Sequence, residues 1–182
     1  MKKVAVFLAP GFEEIEAVIP IDVLRRAEVE VIVAGLQPGP VTGSHGITIQ
    51  PDATIEEVRP EDVDMVVLPG GLPGTDNLRE DGRVREFIRK MDEAGKYTCA
   101  ICAAPTVLKA AGVVRGRALT SHPAVKQDLA RLNYREDRVV VHGSMVTSRG
   151  PGTAMEFALE LVRLLEGEQK ADELATFMLA RR

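Results

Sequence analysis

Six short segments of nearly unbroken apolar character punctuate the chain: Val4–Leu8, Val29–Ala34, Met65–Leu68, Tyr97–Ile101, Val139–His142 and Met145–Ser148. A strand with one wet face alternates apolar and polar residues, so continuous runs of this length predict strands buried on both faces. Between them, apolar positions recur at three- and four-residue spacing. They predict helices over Glu14–Arg26, Arg83–Ala94, Pro105–Ala111, Ala124–Leu132 and Ala154–Glu166, and a last one from about Gln169 to Ala180. His142-Gly143-Ser144 predicts a hairpin turn between the last two strands, and Val41 to Ile49 a smaller hairpin. Strands alternating with helices predict a mostly parallel sheet covered on both faces, an α/β architecture of three layers. No repeat, linker or low-complexity stretch interrupts the pattern, so residues 1–182 read as one domain.

Composition narrows the function classes. The 45% hydrophobic content is enough for a substantial core, and a net charge of −4 with scattered Lys and Arg gives no footprint for nucleic acid. No apolar run approaches a membrane span. The run after Met1-Lys2-Lys3 breaks at Pro10-Gly11 and enters an acidic segment, which fits a first strand better than a signal peptide. Two cysteines and no targeting segment point to a reducing cytoplasm. Cys99 and Cys102 form a Cys-x-x-Cys spacing, but Cys99 lies inside a predicted strand, where residues three apart face opposite sides, so a disulfide needs rearrangement. Zinc needs further soft ligands that the chain does not supply, and no GxGxxG or phosphate-loop motif is present. No metal and no cofactor are expected.

Three segments fall at predicted strand ends, where open α/β sheets bind ligands: Pro10 to Glu14, Pro69-Gly70-Gly71, and Cys102. Cys102 sits where Tyr97–Ile101 hands over to a helix. That turn strains the residue and aims it at the positive end of the helix dipole, which predicts a thiol pKa below the ordinary value. The same segment also reads as a small buried hydrophobe. Glu16, four residues before Pro20 and among Ile15, Val18 and Ile19, is either an exposed helix acid or a buried carboxyl held protonated near neutral pH. Glu13 and Glu14 read as surface acids favoured by the helix start. The N–H groups of Gly71 and Ala103 are placed to form an oxyanion hole beside Cys102, and His122, at the end of another predicted strand, faces the same rim. His45 and His142 read as packed or hydrogen-bonded residues.

Five motifs occur in order: Phe12-Glu13-Glu14-Ile15-Glu16, Val66-Val67-Leu68-Pro69-Gly70-Gly71, Ala100-Ile101-Cys102-Ala103, Thr120-Ser121-His122-Pro123 and Thr147-Ser148-Arg149-Gly150-Pro151-Gly152-Thr153. Together they resemble the ThiJ/PfpI superfamily, and within it the parkinsonism-associated protein deglycase branch, over essentially the whole chain. The resemblance implies a flavodoxin-like three-layer α/β/α sandwich, class I glutamine amidotransferase-like, usually a homodimer. It implies Cys102 as nucleophile and redox-sensitive thiol, Glu16 as the carboxyl that relays protons to it, His122 as the nearby imidazole, and Gly71 and Ala103 as backbone donors. The activity implied is glutathione-independent conversion of methylglyoxal or glyoxal, or repair of their early protein adducts. A stress sensor or chaperone-like protein using the same thiol is the alternative. Two departures weigh against protease and amidase chemistry. Ala103 stands where the protease branch places a histidine, and His142-Gly143-Ser144 lacks the His-x-Glu pair of the glutaminases. Gly43, His45 and Gln50 occupy positions where better-known members carry cysteines and an arginine, so regulation through those groups is not expected.

Overall fold

The structure, a computed structural model, describes residues 1–180. Its strands are β1 (Lys3–Leu8), β2 (Glu30–Gly35), β3 (Val41–Thr42), β4 (Thr48–Ile49), β5 (Ala53–Thr54), β6 (Met65–Leu68), β7 (Tyr97–Ile101), β8 (Ala118–Leu119), β9 (Asn133–Tyr134), β10 (Val139–His142) and β11 (Met145–Ser148). Its helices are α1 (Glu14–Arg26), α2 (Gly74–Glu80), α3 (Gly82–Glu93), α4 (Pro105–Ala111), α5 (Lys126–Leu129), α6 (Ala154–Glu166) and α7 (Glu168–Phe177).

Seven strands form one sheet in the order β10-β11-β7-β6-β1-β2-β5, parallel throughout except for the antiparallel β10–β11 hairpin. The unbroken apolar runs are explained by two cores, one on each face. Along β1, Val4, Val6 and Leu8 face one core with α1, α6 and α7, while Ala5 and Phe7 face the other with α2, α3 and α4. Phe7 meets Phe87 of α3 edge-on, with ring centroids 4.8 Å apart. The result is a flavodoxin-like α/β sandwich. No helix among the described residues is long and apolar enough to cross a membrane.

Local chemistry sets most element ends. The Glu13 carboxylate caps α1 by accepting the Glu16 N–H at 2.8 Å, and the helix runs through Pro20 to Arg26. Gly112, at φ 77°, closes α4 in the left-handed conformation. The expected helix over Ala124–Leu132 is shorter: a turn over Pro123–Val125, capped by the His122 ring, precedes a single turn at Lys126–Leu129. Only Leu129 of that turn is buried, so little packing energy supports a longer helix. Helix α2 was not expected. Its residues are mostly polar, and Leu78 supplies its main apolar anchor.

The carboxyl ends of β1, β6, β7 and β11 lie side by side in the middle of the sheet. The loops that follow them therefore gather at one edge.

Candidate active site

Cys102 follows β7 directly and holds φ 65°, a conformation costly for a non-glycine residue, before the chain enters α4. Its backbone is pinned on both sides: its N–H donates to the Ser148 carbonyl at 3.0 Å, and its carbonyl accepts the His122 N–H at 2.8 Å. Two further backbone N–H groups, from Gly71 and Ala103, face the sulfur and favour its thiolate form. Cys102, Gly71 and Ala103 are thus brought together by two connections, the loop after β6 and the elbow after β7.

Glu16 reaches the same place from α1. It is fully buried, and its Oε2 accepts the Gly70 N–H at 2.8 Å. The close approach depends on glycine. A Cβ on Gly70 would lie 2.6 Å from the Cys102 Cβ and 2.7 Å from Glu16 Oε2. Gly71, at φ 87°, has the same constraint: its Cβ would lie 2.4 Å from the Glu13 nitrogen. The thiol lies alongside the Glu16 carboxyl and interacts with it, but Glu16 Oε1 has no regular hydrogen-bond partner.

Burial pushes the Glu16 carboxyl up to about 7, against the lowering effects of Cys102 and the Gly70 N–H; the charge on Glu13 adds to the rise. Burial likewise pushes the Cys102 thiol up to about 12, reinforced by the charge and hydrogen bonding of Glu16 and opposed by the Gly71 and Ala103 N–H groups. This corrects the expectation of a thiol pKa lowered by the helix start. A seven-residue helix with Pro105 in its first turn is outweighed by burial and an adjacent carboxylate. Protonating Glu16 removes the opposing charge, so the thiolate is favoured only when the carboxyl beside it carries the proton. Cys99 differs: it is wholly buried inside β7, and burial alone raises its thiol well above the ordinary value.

His122 is exposed at the rim of the site. Its ring Nδ1 accepts the Ala124 N–H at 3.1 Å, which leaves the ring proton on Nε2 in the neutral form, and it is the His122 backbone that touches Cys102. His142, read as a hydrogen-bonded residue, accepts the Ala118 N–H through Nδ1 at 3.1 Å.

A second correction concerns Glu13 and Glu14, which are buried rather than on the surface. Glu13 caps α1. Glu14 fixes the small hairpin: its Oε1 accepts the His45 N–H at 2.6 Å and the Ile47 N–H at 3.3 Å, and its Oε2 lies 3.1 Å from His45 Nδ1. Glu13, Glu14 and His45 bring three ligand-type atoms within 4.8 Å of one another. Most of that capacity is already spent on capping α1 and holding the hairpin.

A family model described as the DJ-1/PfpI family matches residues 2–164. The chain belongs to the DJ-1/PfpI family. It is 45% identical over 181 residues to protein dj-1beta of Drosophila melanogaster, covering 98% of this chain and 97% of that protein. The crystal structure of that Drosophila protein superposes with a TM-score of 0.96 at 44% identity, covering 100% of this chain and 99% of the other. The glutathione-independent glyoxalase DJR-1.2 of Caenorhabditis elegans is 39% identical over 177 residues, covering 95% of this chain and 94% of that protein. A deglycase of Pyrococcus abyssi is 38% identical over 166 residues, covering 90% and 99%.

Within this DJ-1/PfpI chain, three residues of the quoted motifs take roles in the pocket that the sequence does not specify. Ser148 supplies the carbonyl that holds the Cys102 N–H, Gly70 supplies the N–H that holds Glu16, and Gly150 borders both Glu16 and His122. Their shared signal is a glycine or small polar residue at, or two positions past, the end of a buried strand.

Proposed function

We propose that the chain is a cysteine-dependent enzyme of the glutathione-independent glyoxalase and deglycase type, acting on methylglyoxal, glyoxal or their early protein adducts. The observation that carries this reading is the placement of one sulfur against two backbone N–H donors and a carboxyl whose pKa stands near 7. A general acid–base works best when its pKa lies near the operating pH. The names of the worm glyoxalase and the archaeal deglycase support the same class.

In this reading the Cys102 sulfur attacks the aldehyde carbon as its proton passes to ionised Glu16. The carbonyl π pair becomes an oxyanion facing the Gly71 and Ala103 N–H groups. Glu16 returns that proton to the oxyanion, and the ionised carboxyl then takes the hydrogen on the first carbon as a proton, giving an enediolate. Glu16 returns the proton to the second carbon while the hydroxyl of the first carbon gives its proton to the oxygen of the second, which leaves a thioester. The first carbon is oxidised and the second reduced within one molecule, so no external redox partner is needed. Water cleaves the sulfur–carbon bond and releases lactate from methylglyoxal or glycolate from glyoxal. His122, with its proton on Nε2, stands at the rim as a donor to substrate oxygen.

The test is lactate production without glutathione by wild type, Cys102→Ser and Glu16→Gln at equal folded concentration. The reading expects roughly one turnover per second or faster, lost in both variants. Full turnover by Cys102→Ser would eliminate it.

A redox-sensing role of the same thiol is favoured by the contrast between sealed Cys99 and partly accessible Cys102. Two equivalents of peroxide would oxidise Cys102 to sulfinate while being reduced to water. Mass spectrometry should find the added oxygen on Cys102 alone; equal oxidation of Cys99 would refute selectivity.

The same reading includes a homodimer. Ile15 and Val18 on α1 are 48% and 44% exposed, and Ile47 on the adjoining hairpin is 56% exposed, an apolar surface on paired elements. Sedimentation should give twice the chain mass, and Val18→Glu should halve it.

A further inference from the structure

A peptide group holds a carbonyl and an N–H in one plane, so a bond made to the carbonyl orients the N–H at the other end. The two N–H groups that face the Cys102 sulfur are each the last link of a chain built this way. The Ala103 N–H shares its peptide with the Cys102 carbonyl, which accepts the His122 N–H at 2.8 Å. The His122 N–H shares its peptide with the Ser121 carbonyl, which accepts the Tyr134 hydroxyl at 3.1 Å. On the other side, the Gly71 N–H shares its peptide with the Gly70 carbonyl, which accepts the Glu13 N–H at 2.9 Å. The Glu13 N–H shares its peptide with the Phe12 carbonyl, which accepts the Ser44 N–H at 2.8 Å. One chain thus starts in the small hairpin and is backbone throughout, while the other starts at a side chain. Tyr134 is well placed for that role. It lies on β9 opposite Leu119 of β8, its ring packs on the core beneath α2, α3 and α4, and Lys126 Nζ stands 5.4 Å from the ring centroid.

We propose that Tyr134 is a positioning residue for the oxyanion donor of Ala103, acting on it through the Ser121–His122 and Cys102–Ala103 peptides. Its kinetic consequence rests on the dicarbonyl reading above. Hydrogen bonds in series polarise one another, so a donor at the outer carbonyl strengthens the N–H at the far end of the same peptide. The phenol makes the His122 N–H a better donor to the Cys102 carbonyl, and that bond makes the Ala103 N–H a better donor to the oxygen that forms beside the sulfur. The bonds also fix direction. The Cys102 φ of 65° is a costly conformation, and a turn of the peptide that follows it would carry the Ala103 N–H away from the reacting atom. A donor of this kind counts only while it is aimed at the charge that develops. Tyr134→Phe removes the hydroxyl and keeps the ring, so it cuts the chain at its outer end and leaves every backbone bond in place.

The experiment compares wild type, Tyr134→Phe and Lys126→Ala by amide NMR and by methylglyoxal kinetics. Lys126→Ala removes the cation over the ring and keeps the hydroxyl, so it is the control for ring placement. In Tyr134→Phe the His122 and Ala103 amide protons should move upfield, as N–H groups in weakened hydrogen bonds do. The Glu13 and Gly71 amide protons, on the other chain, should stay where they are. The kcat of Tyr134→Phe should fall about 2- to 8-fold with KM unchanged. That is the effect of taking roughly 10–30% from the barrier contribution of a donor worth about 10²- to 10³-fold in rate. Lys126→Ala should match wild type in both readouts. A tyrosine that serves only packing would leave the Ala103 resonance unmoved when its hydroxyl is removed. An unmoved Ala103 proton therefore overturns the proposal whatever the turnover, as does equal movement at Gly71 and Ala103 or a matching loss in Lys126→Ala. Moved amide protons with an unchanged kcat, or a change confined to KM, overturn it as well. If wild type turns over no dicarbonyl but the His122 and Ala103 protons move as expected, the enzymatic reading fails while the positioning of Ala103 by Tyr134 stands.

Discussion

Two buried carboxyls lie two residues apart on the same helix and are treated in opposite ways. Glu14 is covered by the small hairpin. Burial pushes its pKa up, but the His45 N–H, its own N–H, the His45 ring and the Ile47 N–H outweigh that effect and hold the carboxyl below its ordinary range. Glu16 points into the cysteine pocket, receives one regular backbone donor, and is pushed up to about 7. Depth and donors together decide the charge of an acid: Glu14 lies just under the hairpin and receives several donors, whereas Glu16 lies deep in the pocket and receives one. One carboxylate is a structural fastener, while the other keeps a proton that can be exchanged near neutral pH.

The sharpest way to break this comparison is kinetic. Glu16→Gln should cut dicarbonyl turnover by about 10²- to 10⁴-fold, the usual contribution of a general acid–base. It should simultaneously speed iodoacetamide capture of Cys102 at pH 8, because the negative charge that opposes thiolate formation is gone. Slower capture would show that the carboxyl assists the thiolate even at that pH. The next effect is on stability. Because the folded-state pKa of Glu16 lies above its ordinary 4.5, the folded chain keeps a proton that the unfolded chain releases between that value and about 7. Stability then falls as pH rises through this window. Urea unfolding should show Glu16→Gln more stable than wild type by about 3 kcal/mol at pH 8, with the gain gone at pH 4. A constant difference at both pH values would contradict the assignment.

Glu14 has the opposite sign. Its lowered pKa contributes stability that is present above the ordinary carboxylate value and lost as pH falls through its folded value. Glu14→Ala should cost about 2 kcal/mol at pH 7 by orphaning the His45 and Ile47 N–H groups. Thermal unfolding that leaves wild type and variant equal would remove the fastener role. Smallest is His45→Ala. The ring is 74% exposed, so loss of its bond to Glu14 should cost only about 0.5 kcal/mol.

The two carboxyls also show how far the residues could be read before folding. The strands were legible because β1, β6, β7 and β11 are buried on both faces and so carry unbroken apolar runs. The Cys102 elbow was legible because a strand, a lone polar atom and a proline-started helix follow one another without a loop. The burial of Glu14 was not, since the residues covering it come from Gly43 to Ile47, some thirty positions away, and a hairpin pattern does not say what the hairpin packs on. For the same reason the thiol pKa was misjudged: the local helix start is visible in sequence, but the carboxylate beside the sulfur arrives from another element. Helix α2 escaped because Gly74, Thr75, Asp76 and Asn77 look like loop residues until packing on Leu78 and α4 is present.

The two backbone bonds that pin Cys102, one to Ser148 and one to His122, hold the main chain and leave the sulfur out of the scaffold. The residue thus behaves as a mount with an exchangeable fitting. An electrophilic probe tethered there should alter the contents of the pocket without shifting the elbow that carries it. Labels attached at this atom would then report on the surrounding loops in their native arrangement.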